Sequence, residues 1–581
     1  MRASPDPITR EIIQNALAAA ADEMSLALYR TAYSTIVRDC LDYSTSLCDE
    51  AGEMIAQGVT IPLHIGAVPT AMSALFRTFG DEIHEDDVFV MNDPFDGGMH
   101  VPDIFIVKPI FWNGERVAFA VATAHHLDLG GRVPGSSACD NTDIFQDGFR
   151  VPWLKLYDRG QVNETFFTLF RANIRVPHMT VGDVRAQLAA CHIGERAIHE
   201  LIERYSLETF RACVADLIDY TERLMRAEIG TWPQGQYSFT DYLDSDGCGG
   251  PRVKLHVALT VAGDSLMADF TGTSPQMRGA MNCTVSFVIA AVAVCIRSVM
   301  QESVPNNSGI FRPLTIIAPP GTVVNPVMPA ASSMRGVTGF RLVDTVFGAL
   351  AQFLPDRVFA ASEGGNTLVI IGGDRADRRP YVYYELMTGT WGARPDRDGN
   401  DGLCNVCNIA SNIPIEQAEC EYPIRIERYG FVRDSGGAGR FRGGLSVERE
   451  WRLLAGDCHL TIRSDRRDHP PYGLQGGGNG TPSNNILHHT DRAEVLPTMI
   501  STRITAGETL YHKQPGGGGY GDPLDRSPAA VAWDVKNDKI SLSAARERYG
   551  VVLQASTLTI DDAATSELRT SMRPGTHERV R

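Results

Sequence analysis

A chain of 581 residues exceeds the size at which a single hydrophobic core stops growing, so the sequence predicts several packed units. Its 43% hydrophobic and 21% charged residues are typical of globular proteins and argue against a disordered, fibrous or membrane class. The formal net charge of −16 argues against nucleic acid and anionic membrane surfaces as partners.

The sequence carries no sign of export. Met1 to Pro7 lacks the apolar stretch of a secretory signal, and the most apolar run, Val285 to Ile296, is too short to cross a membrane. Twelve scattered cysteines without a disulfide-like spacing favour reduced thiols. We therefore expect a cytoplasmic protein.

The first predicted element is a long amphipathic helix. Asp6 followed by Pro7 is a helix-start signal. The apolar face of this helix carries Ile13, Leu17, Ala20, Met24 and Leu28. Short β-branched and aromatic runs follow around Val88 to His126, and helical periodicity returns from Val181 to Glu228. The N-terminal part thus mixes both element types.

Beyond Trp232 the pattern changes to strands with Gly- and Pro-rich connections. The sequence therefore predicts an α+β fold of several units, with a helical, hairpin-containing N-terminal region and a sheet-rich middle and C-terminal half. The predicted units are an N-terminal α+β region at 1–230, a sheet-rich central region at 231–430, a Gly-rich β region with short helices at 431–562, and a polar, disordered tail at 563–581.

A predicted β-hairpin is the most informative local feature. Asn113-Gly114 lies between the strand-like runs Ile104 to Phe111 and Arg116 to Thr123, and Asn-Gly favours a two-residue type I′ turn. Counting outward from this turn pairs Pro102 with His125. An HxxD motif and an HH motif therefore converge at the open end of the hairpin.

This convergence predicts a metal site built from His100, Asp103 and either His125 or His126. Strand alternation does not decide between the two adjacent histidines, because His125 shares its parity with His100 and His126 with Asp103. Such nitrogen and oxygen donors suit zinc, iron or manganese and leave a coordination position open. The competing interpretation is a set of hydrogen-bonded polar residues at a strand end.

Three nearby carboxylates, Asp93, Asp96 and Asp128, could support the metal ligands or act as a general base. Because each lies beside Pro or Gly, turn formation is the favoured interpretation for all three.

The cysteines offer weaker candidates. Cys404 and Cys407 form one CxxC without a second pair, which is half of a zinc ribbon. Nucleophilic catalysis by Cys40 or Cys139 has no motif behind it, and cysteine is usually a small buried hydrophobe.

Several segments together resemble the hydantoinase B and oxoprolinase family. The resemblance begins with the segment RDCLDYSTSLCDEAGEMIAQG and continues through the hairpin block. It extends over nearly the whole chain. The other segments that carry it are DFTGTSPQMRGAMN, YYELMTGTWGARPDRDGNDG, YPIRIERYGFVRDSGGAGRFRGG and QPGGGGYGDP.

The resemblance implies one divalent transition metal held by Asp42, His100, Asp103 and His125. It also implies a hydantoinase A-like partner subunit that carries ATP and magnesium, in a heterotetramer or a larger complex. This chain fits that division, because it contains no GxxxxGK[ST] motif. The GxGxxG from Gly516 to Gly521 is interpreted as a structural turn, since it runs into Asp522-Pro523 without a βαβ unit.

The leading functional hypothesis is hydrolysis of a cyclic amide of the hydantoin, lactam or oxoproline type. The partner would phosphorylate the amide oxygen, and the activated species would be hydrolysed at the metal site with His126 or Asp128 as proton acceptor. The second hypothesis is an ATP-dependent carboxylase of acetone or acetophenone, and the third is a structural docking subunit. After the WGARP motif, Cys404 and Val406 stand where many relatives have histidine, which leaves the substrate open.

Overall fold

The structure is a computed structural model that describes residues 6–364 and 367–573. Within these ranges the mixed α+β class predicted from the sequence is confirmed. The helices are α1 (Pro7–Thr31), α2 (Thr35–Arg38), α3 (Ala67–Phe79), α4 (Glu164–Asn173), α5 (Pro177–Tyr205), α6 (Leu207–Ile229), α7 (Val285–Ser298), α8 (Gly336–Leu350), α9 (Ile415–Glu421), α10 (Pro528–Lys536), α11 (Leu542–Tyr549) and α12 (Asp562–Met572).

Helix α1 begins as predicted. The Asp6 side chain accepts a hydrogen bond from the Thr9 backbone N–H, and Pro7 occupies the first turn. The predicted apolar face of α1 is buried, and it packs against α5. The predicted second helical stretch is divided into α5 and α6 at Ser206, whose backbone adopts a positive φ.

A seven-stranded antiparallel sheet forms the N-terminal part. Its strands are β1 (Tyr43–Asp49), β2 (Met54–Gln57), β3 (Val88–Met91), β4 (Asp103–Trp112), β5 (Glu115–His125), β6 (Leu154–Asp158) and β7 (Gln161–Val162), in the order β2-β1-β5-β4-β3-β6-β7. Helix α5 packs on the central strands β4 and β5. Because these strands are buried over most of their length, their open end is a fixed platform for side chains.

The predicted hairpin forms, but its register differs from the prediction by one residue. The strands pair as expected next to the turn, where Trp112 faces Glu115. A β-bulge then adds Val117 to β5, so that Asp103 rather than Pro102 faces His125. The prediction of Pro102 opposite His125 was wrong because a bulge leaves no signal in a turn-based count.

Three further sheets complete the fold. The second sheet contains β8 (Gly235–Leu243), β9 (Val253–Ala262), β10 (Ser265–Asp269) and β11 (Leu314–Ile317). The third contains β12 (Thr367–Asp374), β13 (Pro380–Met387), β16 (Asp457–Arg463) and β19 (Met499–Thr505). The fourth contains β14 (Ile424–Phe431), β15 (Val447–Leu453), β17 (Asn484–His488), β18 (Ala493–Val495) and β20 (Thr509–Lys513).

The predicted boundary between 430 and 431 does not follow these sheets. It falls inside β14, and the third sheet takes β12 and β13 from one side of it and β16 and β19 from the other. Sequence periodicity reveals strands but not the distant strands with which they pair.

The predicted disordered tail begins instead with helix α12. Asp561 caps this helix by accepting from the Ala564 N–H, and Arg569 donates to the Tyr549 and Arg526 carbonyl oxygens. These tertiary bonds order a polar segment whose composition alone favours disorder. The rest of the predicted tail, 574–581, lies outside the described residues.

The glycines from Gly516 to Gly519 are buried and belong to no helix or strand, and the backbone of the predicted turn segment bends at Gly521, where φ is +75°. A Cβ on Gly517 would lie 2.2 Å from the Trp391 carbonyl oxygen, so glycine is required for the close approach of two backbones. Within the described ranges, no helix is long and apolar enough to cross a membrane.

Candidate metal centre

Three side chains meet at the open end of the hairpin. Asp103 is the first residue of β4, His125 is the last residue of β5, and His100 lies in the loop that leads into β4. Each offers a ligand atom, and these atoms all lie within 4.8 Å of one another. The predicted convergence of the HxxD and HH motifs is therefore confirmed, with His125 in the cluster.

The triad is buried, and burial sets its protonation. Burial lowers the pKa of His100 to about 4 and takes the pKa of His125 well below its usual range. Although burial opposes it, the neighbours His100 and Arg335 hold the pKa of Asp103 well below its ordinary value. Neutral imidazoles and an ionised carboxylate are the forms that bind a divalent metal.

The unpaired atoms of the triad fit such an ion. Asp103 Oδ1 and His125 Nδ1 are buried and have no hydrogen-bond partner among the described residues. A buried polar atom left in this way costs about 1–3 kcal/mol. One atom is an oxygen of an ionised carboxylate and the other is a nitrogen of a neutral imidazole, and both can donate a lone pair. A divalent cation is the kind of partner that would satisfy them.

Two residues from distant parts of the chain hold the triad in place. The Arg335 Nη2 donates to Asp103 Oδ2 at 2.6 Å and approaches His100 Nδ1 at 3.2 Å. The Tyr384 hydroxyl, on β13, lies 3.1 Å from His125 Nε2. Within the triad itself, His100 Nδ1 lies 2.7 Å from Asp103 Oδ2. Sequence reasoning missed Arg335 and Tyr384, because neither lies in a motif near the hairpin.

Two more basic residues lie near the triad. His64 is fully buried, with Nδ1 2.8 Å from the Ser44 hydroxyl, and burial lowers its pKa to about 4. Asp103 and His100 also influence the pKa of His64, so this ring lies within electrostatic reach of them. Arg463, at the end of β16, is buried and interacts electrostatically with Arg335. Sequence reasoning missed both.

A model of the family described as Hydantoinase B/oxoprolinase matches residues 6–523, which is most of the chain. The chain belongs to the hydantoinase B/oxoprolinase family. The resemblance predicted from the sequence segments is thereby confirmed.

One relative and two solved structures resemble the chain over nearly its whole length. The caprolactamase subunit beta of Pseudomonas jessenii is 35% identical over 572 residues, covering 96% of this chain and 98% of that subunit. A crystal structure of the ATP-dependent caprolactamase from Pseudomonas jessenii matches with a TM-score of 0.91 and 33% identity, covering 97% of this chain and 99% of that one. A nucleotide-free acetone carboxylase structure shares the fold, with a TM-score of 0.89, 21% identity, and coverage of 98% and 83%.

Asp42, the ligand nominated from the family resemblance, lies next to the triad. It precedes β1, and its carbonyl oxygen accepts a hydrogen bond from the His125 backbone N–H at 3.0 Å. Burial and the charge of Asp103 raise the pKa of Asp42 to about 7. Asp42 is outside the three-residue cluster but within electrostatic reach of it.

The two predicted proton acceptors make other contacts. His126 Nε2 lies 3.0 Å from Gln187 Oε1, so its ring is turned toward α5. Asp128 accepts from the backbone N–H groups of Gly130, Gly135 and Arg175 and from the Arg175 guanidinium. These bonds serve the surrounding loop, and the geometry gives no support to a general-base role for either residue.

Of the remaining carboxylates, Asp93 follows the turn chemistry of the favoured interpretation, whereas the Asp96 side chain forms an ion pair. Asp93 accepts from the Phe95 backbone N–H two residues later. Asp96 forms an ion pair with Arg77 on α3. Neither carboxylate belongs to the triad cluster.

The cysteines are unsuited to nucleophilic chemistry. Burial raises the pKa of Cys40 well above its usual value and the pKa of Cys139 to about 12. Burial also raises the pKa of Cys404 to about 12, and its thiol donates to the Asn408 carbonyl oxygen at 2.8 Å. Since a thiolate is the reactive and metal-binding form, these thiols are inert at neutral pH.

Proposed function

We propose that this chain is the metal-dependent catalytic subunit of an ATP-dependent cyclic amide hydrolase of the hydantoin, lactam or oxoproline type. The observation that carries the proposal is the buried cluster of His100, Asp103 and His125 in a chain whose relative is named a caprolactamase subunit. Amides are poor electrophiles, so opening a cyclic amide requires both activation of the carbonyl and a catalytic centre.

Four residues are proposed to hold one zinc, iron or manganese ion: Asp42, His100, Asp103 and His125. When bound, such an ion lowers the pKa of water and polarises a carbonyl oxygen. Arg335 keeps Asp103 ionised and oriented, and Tyr384 fixes the ring of His125 from outside the cluster.

A partner subunit of the hydantoinase A type is proposed to bind ATP and magnesium and to phosphorylate the amide oxygen. The related caprolactamase is described as ATP-dependent, and the relative of this chain is named its subunit beta. Phosphorylation converts the oxygen into a leaving group. The assembly would be a heterotetramer or larger, in the cytoplasm, where ATP is supplied and the twelve free cysteines stay reduced.

The burial of the site has a chemical consequence for such a reaction. His100 and His125 are each only 3% exposed, and Asp103 is fully buried. A site closed to bulk solvent protects a phosphorylated amide from uncontrolled hydrolysis and strengthens every electrostatic contact inside it.

The test is to assemble the chain with its ATP-binding partner and to assay hydantoins, simple lactams and 5-oxoproline with ATP. We expect stoichiometric ring opening and ATP hydrolysis, and we expect His100→Ala to abolish ring opening. Incorporation of labelled bicarbonate into a ketone would instead support the carboxylase function. Unchanged turnover in His100→Ala, with only a lower melting temperature, would support the docking function.

A further inference from the structure

His64 is a buried histidine with one unused ring nitrogen. It ends a short 3-10 helical turn at 62–64 and is fully buried. Its Nδ1 lies 2.8 Å from the Ser44 hydroxyl oxygen, whereas its Nε2 has no hydrogen-bond partner among the described residues. Buried polar atoms without a partner are uncommon in folded proteins, so this nitrogen calls for an explanation.

Strand pairing places His64 on the same face of the seven-stranded sheet as the triad. Asp103 faces His125, and Ser44 faces Thr123, which precedes His125 by two residues on β5. Residues that face each other across a sheet share a side, and so do residues two apart on one strand. Ser44 therefore points to the side of the triad, about 7 Å along the sheet from His125, and holds His64 there.

Helix α5 covers the opposite face of this sheet. A Cβ on Gly194 of α5 would lie 3.1 Å from Leu47 Cδ2 and 3.2 Å from the Ala120 Cβ. Both residues lie an odd number of positions along their strands from those that share the side of the triad, so they point away from it. His126 is turned toward α5 and lies on that opposite side, whereas His64 lies on the side of the triad.

The Ser44 hydroxyl decides which nitrogen of His64 carries the proton. Burial lowers the pKa of His64 to about 4, so the ring is neutral at pH 7 and has a single N–H. Ser44 is only 2% exposed, and within residues 6–364 and 367–573 its hydroxyl contacts no acceptor except His64 Nδ1. The hydroxyl is satisfied if it donates to Nδ1, which leaves the ring proton on Nε2. The unpaired Nε2 is therefore an N–H donor and has no lone pair for a metal ion.

His512 provides a contrast, because an unpaired nitrogen is not by itself a site. It is also fully buried, and its Nε2 also lacks a partner in the part of the chain that the structure describes. Its Nδ1 lies 2.6 Å from Asn485 Oδ1, an oxygen that can only accept, so the proton of His512 is on Nδ1. His512 lies on β20 of the fourth sheet, which contributes no residue to the triad. Only His64 combines a free donor with the side of the triad.

We propose that His64 is a catalytic residue whose Nε2–H donates a hydrogen bond to an oxygen on the carbonyl carbon of the cyclic amide. The inference rests on the proposed function and adds a substrate contact to it. Oxygens on this carbon gain negative charge when water attacks and when the phosphorylated oxygen leaves. A fixed donor in a buried site stabilises that charge, and a neutral imidazole N–H can do so without giving up its proton.

The first experiment measures the carbonyl stretch of ¹³C-labelled 2-pyrrolidinone bound to the full-length, metal-loaded chain. Isotope-edited infrared difference spectroscopy gives the frequency, and the metal content of every sample is measured separately. His64→Leu removes the donor, and the bound carbonyl should then absorb at higher frequency than in the wild type. His64→Gln keeps an N–H donor on its amide and should restore most of the difference. His512→Leu is the matched control and should give the wild-type frequency.

The role of Ser44 as a positioning residue has its own signature in the same spectra. Ser44→Ala lets the proton of the neutral ring occupy either nitrogen. The bound lactam should then show two carbonyl bands, one at the wild-type frequency and one at the frequency of His64→Leu. A single wild-type band would show that Ser44 does not select the protonated nitrogen.

The second experiment measures turnover in the complex assembled with the ATP-binding partner. His64→Leu should lower kcat for ring opening by about 10²–10³-fold, the usual loss for one such donor. Its metal content should equal that of the wild type, because Nε2–H is not a ligand. His64→Gln should lose less activity, and His512→Leu should turn over like the wild type.

The inference is overturned if His64→Leu keeps both the carbonyl frequency and the kcat of the wild type, or if it loses the metal as a triad variant should. His64→Phe, which keeps a ring in the same space, replaces His64→Leu if the latter does not fold. A wild type that holds its metal but binds no 2-pyrrolidinone contradicts the role of His64 alone. A wild type without metal, or a complex that opens no cyclic amide, contradicts the proposed function, and the comparison of carbonyl frequencies still decides whether His64 is a donor.

Discussion

Tyr384 contacts the candidate metal centre from the third sheet. Its hydroxyl reaches His125 Nε2 at 3.1 Å and fixes the ring that offers a ligand atom. Partners of this kind typically contribute about 10–100-fold to metal affinity or activity. We expect Tyr384→Phe to lower metal affinity or turnover by about that factor, measured by chelator competition and by the ring-opening assay.

Tyr381, on the same strand, is the matched control. It is equally buried, and its hydroxyl contacts the Cys458 thiol at 2.8 Å instead of the triad. Tyr381→Phe should therefore leave metal affinity unchanged. Equal effects of the two substitutions would show that Tyr384 acts only through stability.

Asp42 gives the metal-free protein a specific pH dependence. Its pKa is raised to about 7 by burial and by the charge of Asp103, whereas an unfolded Asp titrates near 3.8. Between these values the folded state binds the extra proton, so the contribution of Asp42 to stability is greatest in acid and falls as the pH rises to about 7. Above that pH both states are deprotonated and the contribution is flat.

Asp42→Asn should remove this slope. In the metal-free chain, the free energy of unfolding of Asp42→Asn relative to wild type should rise with pH up to about 7 and then level off. The limiting slope is about 1.4 kcal/mol per pH unit. Denaturant unfolding between pH 5.5 and 8.5 measures it, and a constant difference across that range would contradict a buried, protonated Asp42.

At the scale of elements, the contact between α7 and α8 positions Arg335. A Cβ on Gly339 of α8 would lie 2.3 Å from the Phe287 ring of α7, which itself lies under the Arg335 guanidinium. We expect Gly339→Ala to cost about 1–3 kcal/mol through overpacking. Because the ring must move, metal affinity should fall as well.

Gly348→Ala, at the other end of α8, separates the two effects. Its Cβ would lie 2.5 Å from the Phe239 ring, so we expect a similar loss of stability far from the triad. Chelator competition should give the wild-type metal affinity for Gly348→Ala and a lower metal affinity for Gly339→Ala. A loss of affinity in both variants would show that α8 responds as one rigid element.

The hairpin shows what local reasoning could and could not predict. Asn113-Gly114 was sufficient to predict the turn, the two strands and the meeting of His100 with Asp103 and a histidine. It could not choose between His125 and His126, because the choice depends on the bulge at Val117. A single extra residue changes the face on which later side chains lie.

At the scale of the whole molecule, the parts of the site that escaped prediction are those supplied by distant segments. Arg335 comes from the start of α8, Tyr384 from β13 and Arg463 from β16, and none carries a local signal. Composition and periodicity predicted the α+β class, but the third and fourth sheets join strands separated by long stretches of chain. The ligand role of Asp42 rested on the family resemblance and stays a prediction.

The most direct test of the central claim is the metal content of the purified chain, measured by elemental analysis. The comparison is between the wild type, a His100→Ala/Asp103→Ala double variant, and His126→Ala, which removes an equally buried imidazole outside the triad. We predict close to one zinc, iron or manganese ion per chain in the wild type and in His126→Ala, and none in the double variant. Metal that persists in the double variant, or a metal-free wild type with full activity, would contradict the account.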